Sequence, residues 1–235
     1  MSYHRYLNEI WQLLYPQREC PACGAAVSRP GLCPACRHRS QSLHRCALCG
    51  TFGESTAAIC PECREFRPLF AAAYAALPYE ARLRELLLDF KYNNQTYHRR
   101  TLAALLLAAW QDWQPPYPID AIVPVPSSSA RIEERGYEHT QLMAELLAEE
   151  LGVPLEGGWL FRIKDTPPLH DLPRQQRFAQ MRGSMGASPQ VRGKRILIVD
   201  DICTTGATAL ACSSALLEQG AEAPLLLTCA AGATW

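Results

Sequence analysis

The chain has 235 residues, 48% of them apolar, with 23 basic and 23 acidic side chains and a formal net charge of zero. This length and apolar share exclude a disordered or collagen-like chain and suit one sizeable α/β core with a small module beside it. The charge balance excludes a uniformly basic nucleic-acid or membrane-surface protein, and the eleven cysteines require an explanation of their own.

At the start of the chain, the apolar residues of Met1 to Gln17 are interrupted by Arg5, Asn8, Glu9 and Gln12, so no leader peptide is expected. The expected compartment is the reducing cytoplasm, where disulfides are disfavoured. Eight cysteines then form four Cys-x-x-Cys pairs: Cys20/Cys23, Cys33/Cys36, Cys46/Cys49 and Cys60/Cys63. Two residues between thiolates let both sulfurs reach one ion while nearby backbone N–H groups donate to them. Residues 1–66 are therefore expected to form an N-terminal helix and a double zinc ribbon. This module has too few large apolar side chains to fold without metal. Consecutive ribbons would place Cys20, Cys23, Cys33 and Cys36 on one structural zinc, and Cys46, Cys49, Cys60 and Cys63 on a second. A crossed arrangement, pairing the first knuckle with the third and the second with the fourth, has the same spacing. Cys203, Cys212 and Cys229 read as small core hydrophobes.

Residues 67–235 read as one larger domain. Leu69 to Leu77 predicts a strand, and Glu80 to Phe90 an amphipathic helix with Leu83, Leu86, Leu87 and Phe90 on one face. A second helix over Arg100 to Trp113 is ended by Pro115, Pro116 and Pro118. Ile119 to Val125 follows as a strand, Thr140 to Leu151 as a helix stopped by Gly152, and Trp159 to Ile163 as a short strand. Thr166 to Met185 reads as irregular. Ile196 to Val199 is an apolar run suited to an inner parallel strand, followed by a helix from Ala207 to Gln219 and a strand from Leu225 to Cys229. The alternation implies a doubly wound parallel sheet. No apolar stretch is long enough to span a membrane; even Thr101 to Trp110 is too short.

The most informative segment is Ile196 to Thr208, in which Asp200 and Asp201 end a buried strand and a small hydroxyl- and glycine-containing turn opens a helix. Backbone N–H groups of Thr205 to Thr208 can point at an anion at the positive end of that helix. Gly206 permits close approach, and Thr204, Thr205 and Thr208 add hydroxyl donors. Two carboxylates facing the same phosphate would repel it, so they call for a sugar diol or a metal ion. A ribose 5-phosphate unit satisfies both demands. Pro124-Val125-Pro126-Ser127 leaves the preceding strand at the same end of the sheet and leads to Arg131 and Arg135, which suit a pyrophosphate group. Lys91 could reach the same ligand. From Arg162 to Arg195, eight basic side chains stand against two acidic ones, a stretch suited to a pyrophosphate or a nucleic-acid backbone.

Ile-Leu-Ile-Val-Asp-Asp-Ile-Cys-Thr-Thr-Gly-Ala-Thr closely resembles the PRPP-binding signature of type I phosphoribosyltransferases (PRPP, 5-phosphoribose pyrophosphate). The four knuckles, Phe90-Lys91-Tyr92, Val123-Pro124-Val125-Pro126 followed by Arg135-Gly136-Tyr137, the Arg-rich loop and this turn, in that order, resemble the ComF/GntX family of phosphoribosyltransferase-like proteins linked to natural competence. The resemblance implies a type I phosphoribosyltransferase-like fold, with Asp200 and Asp201 on the ribose hydroxyls, Thr204, Thr205, Gly206, Ala207 and Thr208 around the 5-phosphate, and Mg with PRPP. The pattern departs from the family where Glu138 and His139 replace an Asn-Gln pair, and where Leu169 and Gln180 stand for a Gln and an Asn. Glu138 is expected as a helix N-terminal residue and His139 as a solvated or capping one.

Two functions are compatible with these features. The favoured one is a ComF-type protein that binds PRPP or a related phosphate and handles single-stranded DNA in the cytoplasm during DNA uptake, with competence-machinery proteins as partners. The alternative is an active phosphoribosyltransferase of nucleobase or nucleotide salvage. No base-recognising hood stands out in the sequence, and no catalytic residue is assigned.

Overall fold

The computed structural model describes residues 19–53, 57–93, 95–166 and 172–232. The helix expected before Cys20, and Leu169, lie outside these residues. The main body contains β1 (Ala72–Pro78), α3 (Ala81–Tyr92), α4 (His98–Trp113), β2 (Ala121–Pro124), α5 (Ser129–Arg135), α6 (His139–Leu151), β3 (Leu160–Arg162), α7 (Arg174–Met181), β4 (Met185–Ala187), β5 (Ile196–Cys203), α8 (Ala207–Glu218) and β6 (Leu225–Ala231). Two short helices precede them in the cysteine-rich part, α1 (Pro34–Ser42) and α2 (Pro61–Glu65).

Four strands form a parallel sheet in the order β1-β6-β5-β2. The inner strands β5 and β6 are covered on both faces, which is why they read as continuous apolar runs. Period-two alternation divides their side chains between two cores. Ile196, Ile198 and Leu226 pack with α8 residues such as Cys212 and Leu216, and with Leu160 and Met185 of the antiparallel β3–β4 pair. Leu197, Val199, Leu225 and Leu227 pack on the opposite face with Leu87 and Phe90 of α3, Leu102 and Leu106 of α4, and Met143 and Leu147 of α6. The doubly wound sheet expected from the sequence is therefore present. Cys203, Cys212 and Cys229 are buried in it.

The two crossovers around β5 position the site. The chain leaves β2 for α6 on one face of the sheet and leaves β5 for α8 on the other. A crevice consequently opens between the carboxyl ends of these neighbouring strands, the place where ligands bind in such sheets.

Two stretches differ from their sequence reading. Thr166 to Met185, expected to be irregular, contains α7 and begins β4. Pro173 sets the entry to α7, and its Phe178 and Met181, three residues apart, turn onto the core, where Met181 is buried. The Pro-Ser loop after β2 leads directly into α5, which ends at Gly136 in a left-handed conformation (φ 78°).

The cysteine-rich part repeats one plan twice. Each first pair closes a knuckle tied by an antiparallel bridge, Glu19 with Ala26 and Arg45 with Phe52, and each second pair opens a helix with proline at its first position. The second unit docks on β1, the edge strand. Arg45 donates from Nε to the Ala75 carbonyl at 2.9 Å and from Nη2 to that of Ala76 at 3.0 Å, with its guanidinium over the rings of Phe52 and Tyr74. Ser40, on α1 of the first unit, donates to the same Ala76 oxygen at 3.0 Å. These contacts cap the outward carbonyls of an otherwise open edge. Gly50 has φ 70° and lies so close that a Cβ there would stand 2.9 Å from the Ala73 oxygen, so this knuckle requires glycine on two counts. Among the described residues, no helix is long and apolar enough to cross a membrane.

Candidate functional site

The crevice between β2 and β5 is a cleft of about 740 Å³, within the size range of small-molecule sites. Asp200 and Asp201 line it from β5, Ser127 and Ser128 from the loop after β2, Arg131 from α5, Lys91 from α3, and Arg162 and Arg177 from the Arg-rich stretch. At its end, Thr204 to Thr208 form a cup of about 40 Å³ with Asp200 and Arg177 beside it. Gly206 (φ 78°) is the N-cap of α8, so the first-turn N–H groups of that helix open onto the cup. Ala207 is buried beneath the turn, and Arg177 donates to the Thr204 hydroxyl at 3.4 Å. This arrangement is suited to an anion.

The two carboxylates have different environments. Asp201 is buried and forms an ion pair with Lys91, while its Oδ1 accepts from the Ile202 N–H at 2.8 Å. Burial disfavours its charge, but Lys91 and His139 outweigh burial and hold the carboxyl well below the usual carboxylate range. Burial likewise opposes the charge on Lys91, yet Asp201 and Asp200 keep its pKa raised. Asp200 is only partly buried and accepts from the Asp201 N–H at 2.8 Å. Burial and the charge of Asp201 push it up to about 8. Asp201 is therefore an internal counter-ion, and Asp200 is the acid available to a ligand. Lys91, expected to meet the phosphates directly, is directed to Asp201 by this pair.

Two residues that the sequence reading set aside complete a network across the cleft. Glu138 accepts from the Ser127 N–H at 2.7 Å and from its hydroxyl at 2.6 Å, and also from Thr140 Oγ1 at 3.0 Å. His139, expected to be solvated, is 6% exposed. Its Nδ1 lies 3.1 Å from Ser127 Oγ and its Nε2 lies 3.6 Å from Asp201 Oδ2. Burial lowers the imidazole pKa, but Asp201 and Glu138 more than offset it and the net shift is upward. Burial raises Glu138, and its contacts with His139 and Ser127 reverse that to a net lowering. Arg135, expected at the pyrophosphate position, does not line the cleft; it sits with Nη1 3.2 Å from His139 Nδ1 and its guanidinium over the Tyr92 ring. The Gly136 turn directs it there. The one sequence signal for this network was a Glu-His pair at the start of an apolar helix, and nothing local indicates which loop such a pair will meet.

The cysteines form two separate groups, Cys20, Cys23, Cys33 and Cys36, and Cys46, Cys49, Cys60 and Cys63, each with its sulfurs within 4.8 Å of one another. The consecutive connectivity is the observed one. Backbone N–H groups point at the sulfurs, Cys36 N to Cys33 Sγ at 3.5 Å and Cys60 N to Cys46 Sγ at 3.3 Å. A hydrogen bond from Cys49 and the Cys60 N–H hold Cys46 down to about 4, whereas Cys49 is raised because it is the donor. Such a donor set fits a structural metal ion, which would replace the shared protons.

The family model described as "Phosphoribosyl transferase domain" matches residues 140–234. Over 83% of its length the chain is 28% identical to Competence protein F of Haemophilus influenzae, covering 88% of that protein. It is 29% identical to DNA utilization protein YhgH of Salmonella typhi, over 83% of this chain and 88% of that one. With Competence protein ComFC of Bacillus subtilis it shares 25% identity over 82% of this chain and 80% of the other. The chain is thus similar over most of its length to proteins named for competence and DNA utilization, and its C-terminal part matches a phosphoribosyl transferase domain. Its sheet is accordingly of the type I phosphoribosyltransferase kind, with a cysteine-rich module carrying two four-cysteine groups on its edge. The order of motifs resembles that of the ComF/GntX family, and the Glu138–His139 pair is one of the places where this chain departs from that pattern.

Proposed function

We propose that this protein binds PRPP, with Mg, in the cleft between β2 and β5 and handles single-stranded DNA in the cytoplasm during natural competence. The observation that carries the ligand is the pairing of an anion cup over Thr204 to Thr208 with one available carboxylate, Asp200, at the switch point of the sheet. In this reading the turn holds the 5-phosphate and Asp200 takes the ribose hydroxyls or the cation. Arg131 and Arg177 balance the pyrophosphate charge, and Ser127 shapes the loop against it. Mg, when bound with PRPP, would neutralise the pyrophosphate oxygens. The two four-cysteine groups would carry zinc, which orders the module that caps β1. The names of the relatives support a place in DNA uptake, with the basic Arg162 to Arg195 stretch and the cysteine-rich module as surfaces for DNA or competence-machinery proteins.

Calorimetric titration with Mg-PRPP, with and without single-stranded DNA, tests this. Saturable binding at one site is the expected result, together with salt-sensitive DNA binding. No heat with PRPP would remove the ligand assignment. Release of pyrophosphate with a nucleobase would convert the reading to transferase activity.

A further inference from the structure

One face of α3 carries the cleft past its two carboxylates. Arg84, Leu87, Leu88, Lys91 and Tyr92, spaced i, i+3, i+4, i+7 and i+8, all line it. Lys91 stands at Asp201, and Arg84 lies seven residues nearer the start of the helix, about 10 Å further along the wall. The surface around them is apolar and aromatic. It includes Leu88, the 52% exposed Tyr92, and Tyr79, whose N–H donates to the Ala231 carbonyl at 2.8 Å at the end of β6. Arg84 makes no ion pair or side-chain hydrogen bond among the described residues. Its acidic neighbours do not answer it: Glu85 pairs with Arg82 at 3.3 Å, and Glu80 is exposed and lines no part of the cleft.

Charge along the cleft is unbalanced. Among its described lining residues, Asp200 and Asp201 are the only acids. Asp201 answers Lys91, which leaves Asp200 alone against Arg84, Arg131 and Arg162. The acids close to these arginines in sequence, Glu133, Glu134 and Asp165, do not line the cleft, and Asp165 accepts from the Ser129 hydroxyl at 2.6 Å. A pentose phosphate with its phosphate in the cup and its hydroxyls on Asp200 leaves the rings of Tyr79 and Tyr92 and the charge of Arg84 without a partner. A strand that repeats phosphate, sugar and flat ring supplies one for each. We propose that the cleft takes the 5′-phosphorylated end of single-stranded DNA, with the terminal phosphate in the Thr204 to Thr208 cup, bases against Tyr79, Leu88 and Tyr92, and a following phosphate on Arg84. The proposal rests on the PRPP and DNA-handling reading above and adds that PRPP and the strand end compete for one cleft. Arg162, the first residue of the basic stretch, already lies in it.

Competition on the full, metal-loaded chain tests it. An internally labelled oligodeoxythymidylate phosphorylated at its 5′ end and the same strand phosphorylated at its 3′ end carry the same bases and the same charge. In fluorescence polarisation, wild type should favour the 5′-phosphorylated strand by roughly tenfold, the gain of one well-placed charged contact. Saturating Mg-PRPP should abolish that preference. Lengthening thymidine 5′-monophosphate to a 5′-phosphorylated tetrathymidylate should tighten binding by a similar factor. Arg84→Ala, at an exposed helix position, should keep the fold and the monophosphate affinity but lose that gain, and Arg84→Lys should restore much of it. Equal binding of the two strands by wild type, a 5′ preference that survives saturating Mg-PRPP, or a length gain that survives in Arg84→Ala overturns this site while leaving DNA binding and PRPP binding intact. Failure of wild type to bind either strand at low salt removes the DNA-handling function, and this site with it. A 5′ preference in a protein that gives no heat with Mg-PRPP removes the PRPP assignment and leaves the strand-end site standing.

Discussion

Glu138 gives both carboxylate oxygens to one residue, Ser127, receiving its backbone N–H at 2.7 Å and its hydroxyl at 2.6 Å. The acid thereby fixes the loop that leaves β2 from its far side, while His139 joins the same serine to Asp201 on β5. Both walls of the cleft are tied through two consecutive residues at the start of α6.

Removing Glu138 should therefore loosen the loop. Glu138→Ala leaves a largely buried N–H and hydroxyl without their acceptor, a loss of about 1–3 kcal/mol. Urea denaturation should show that decrease, and Mg-PRPP affinity should fall at least several-fold. Glu138→Gln, which retains one acceptor oxygen, should lie between. Unchanged affinity in Glu138→Ala would show that the loop does not shape the ligand.

The Lys91–Asp201 pair is buried, so removing one partner should be worse than removing both. Lys91→Met strands the Asp201 carboxylate, and breaking a buried pair costs about 3–5 kcal/mol; the nearby imidazole of His139 should keep the loss at the lower end. A double-mutant cycle with Asp201→Asn should recover part of the loss. Additive unfolding energies would mean that the pair is not coupled.

Asp200 should make ligand binding depend on pH. Its pKa is raised to about 8 by burial and by the charge of Asp201, so near neutrality it is largely protonated and loses that proton as pH rises. A ligand or cation that needs the carboxylate must displace the proton below that point. Mg-PRPP affinity should consequently increase from neutrality to about pH 8 and then level off. Asp200→Asn should fold normally, bind weakly and lose the pH dependence; the same profile in the variant as in wild type would assign it elsewhere.

Metal removal should reach the main sheet. The group formed by Cys46, Cys49, Cys60 and Cys63 sets the position of Arg45, which caps the Ala75 and Ala76 carbonyls of β1. Chelation should release one ion per four-cysteine group and lower the thermal midpoint of the whole chain. Cys46→Ser should lower that midpoint more than Cys23→Ser, because Cys46 is buried beside the sheet and Cys23 is exposed. A midpoint unaffected by chelation would separate the module from the stability of the sheet.

Much of this molecule is written locally. The knuckles depend on short-range spacing, and Gly24, Gly50 and Gly206 occupy left-handed positions that their motifs required. β5 and its turn carry the burial, the carboxylates and the helix start within thirteen consecutive residues, so the anion cup was legible as a candidate from Ile196 to Thr208. Helices α3, α4, α6 and α8 were legible because their apolar faces repeat at helical spacing.

What the tertiary structure alone decided is pairing at a distance. Which of two adjacent acids is neutralised depends on Lys91, 110 positions before Asp201 in the chain. Whether His139 meets water or a carboxylate depends on how α6 packs beneath β2 and β5. The connectivity of the four knuckles, and the use of the second unit as a cap on β1, follow from chain geometry that spacing leaves open. Backbone preference and amphipathic period act over a few residues and can be read from the sequence; the charge state of a buried group is set by whichever side chains the fold brings within a few ångströms of it.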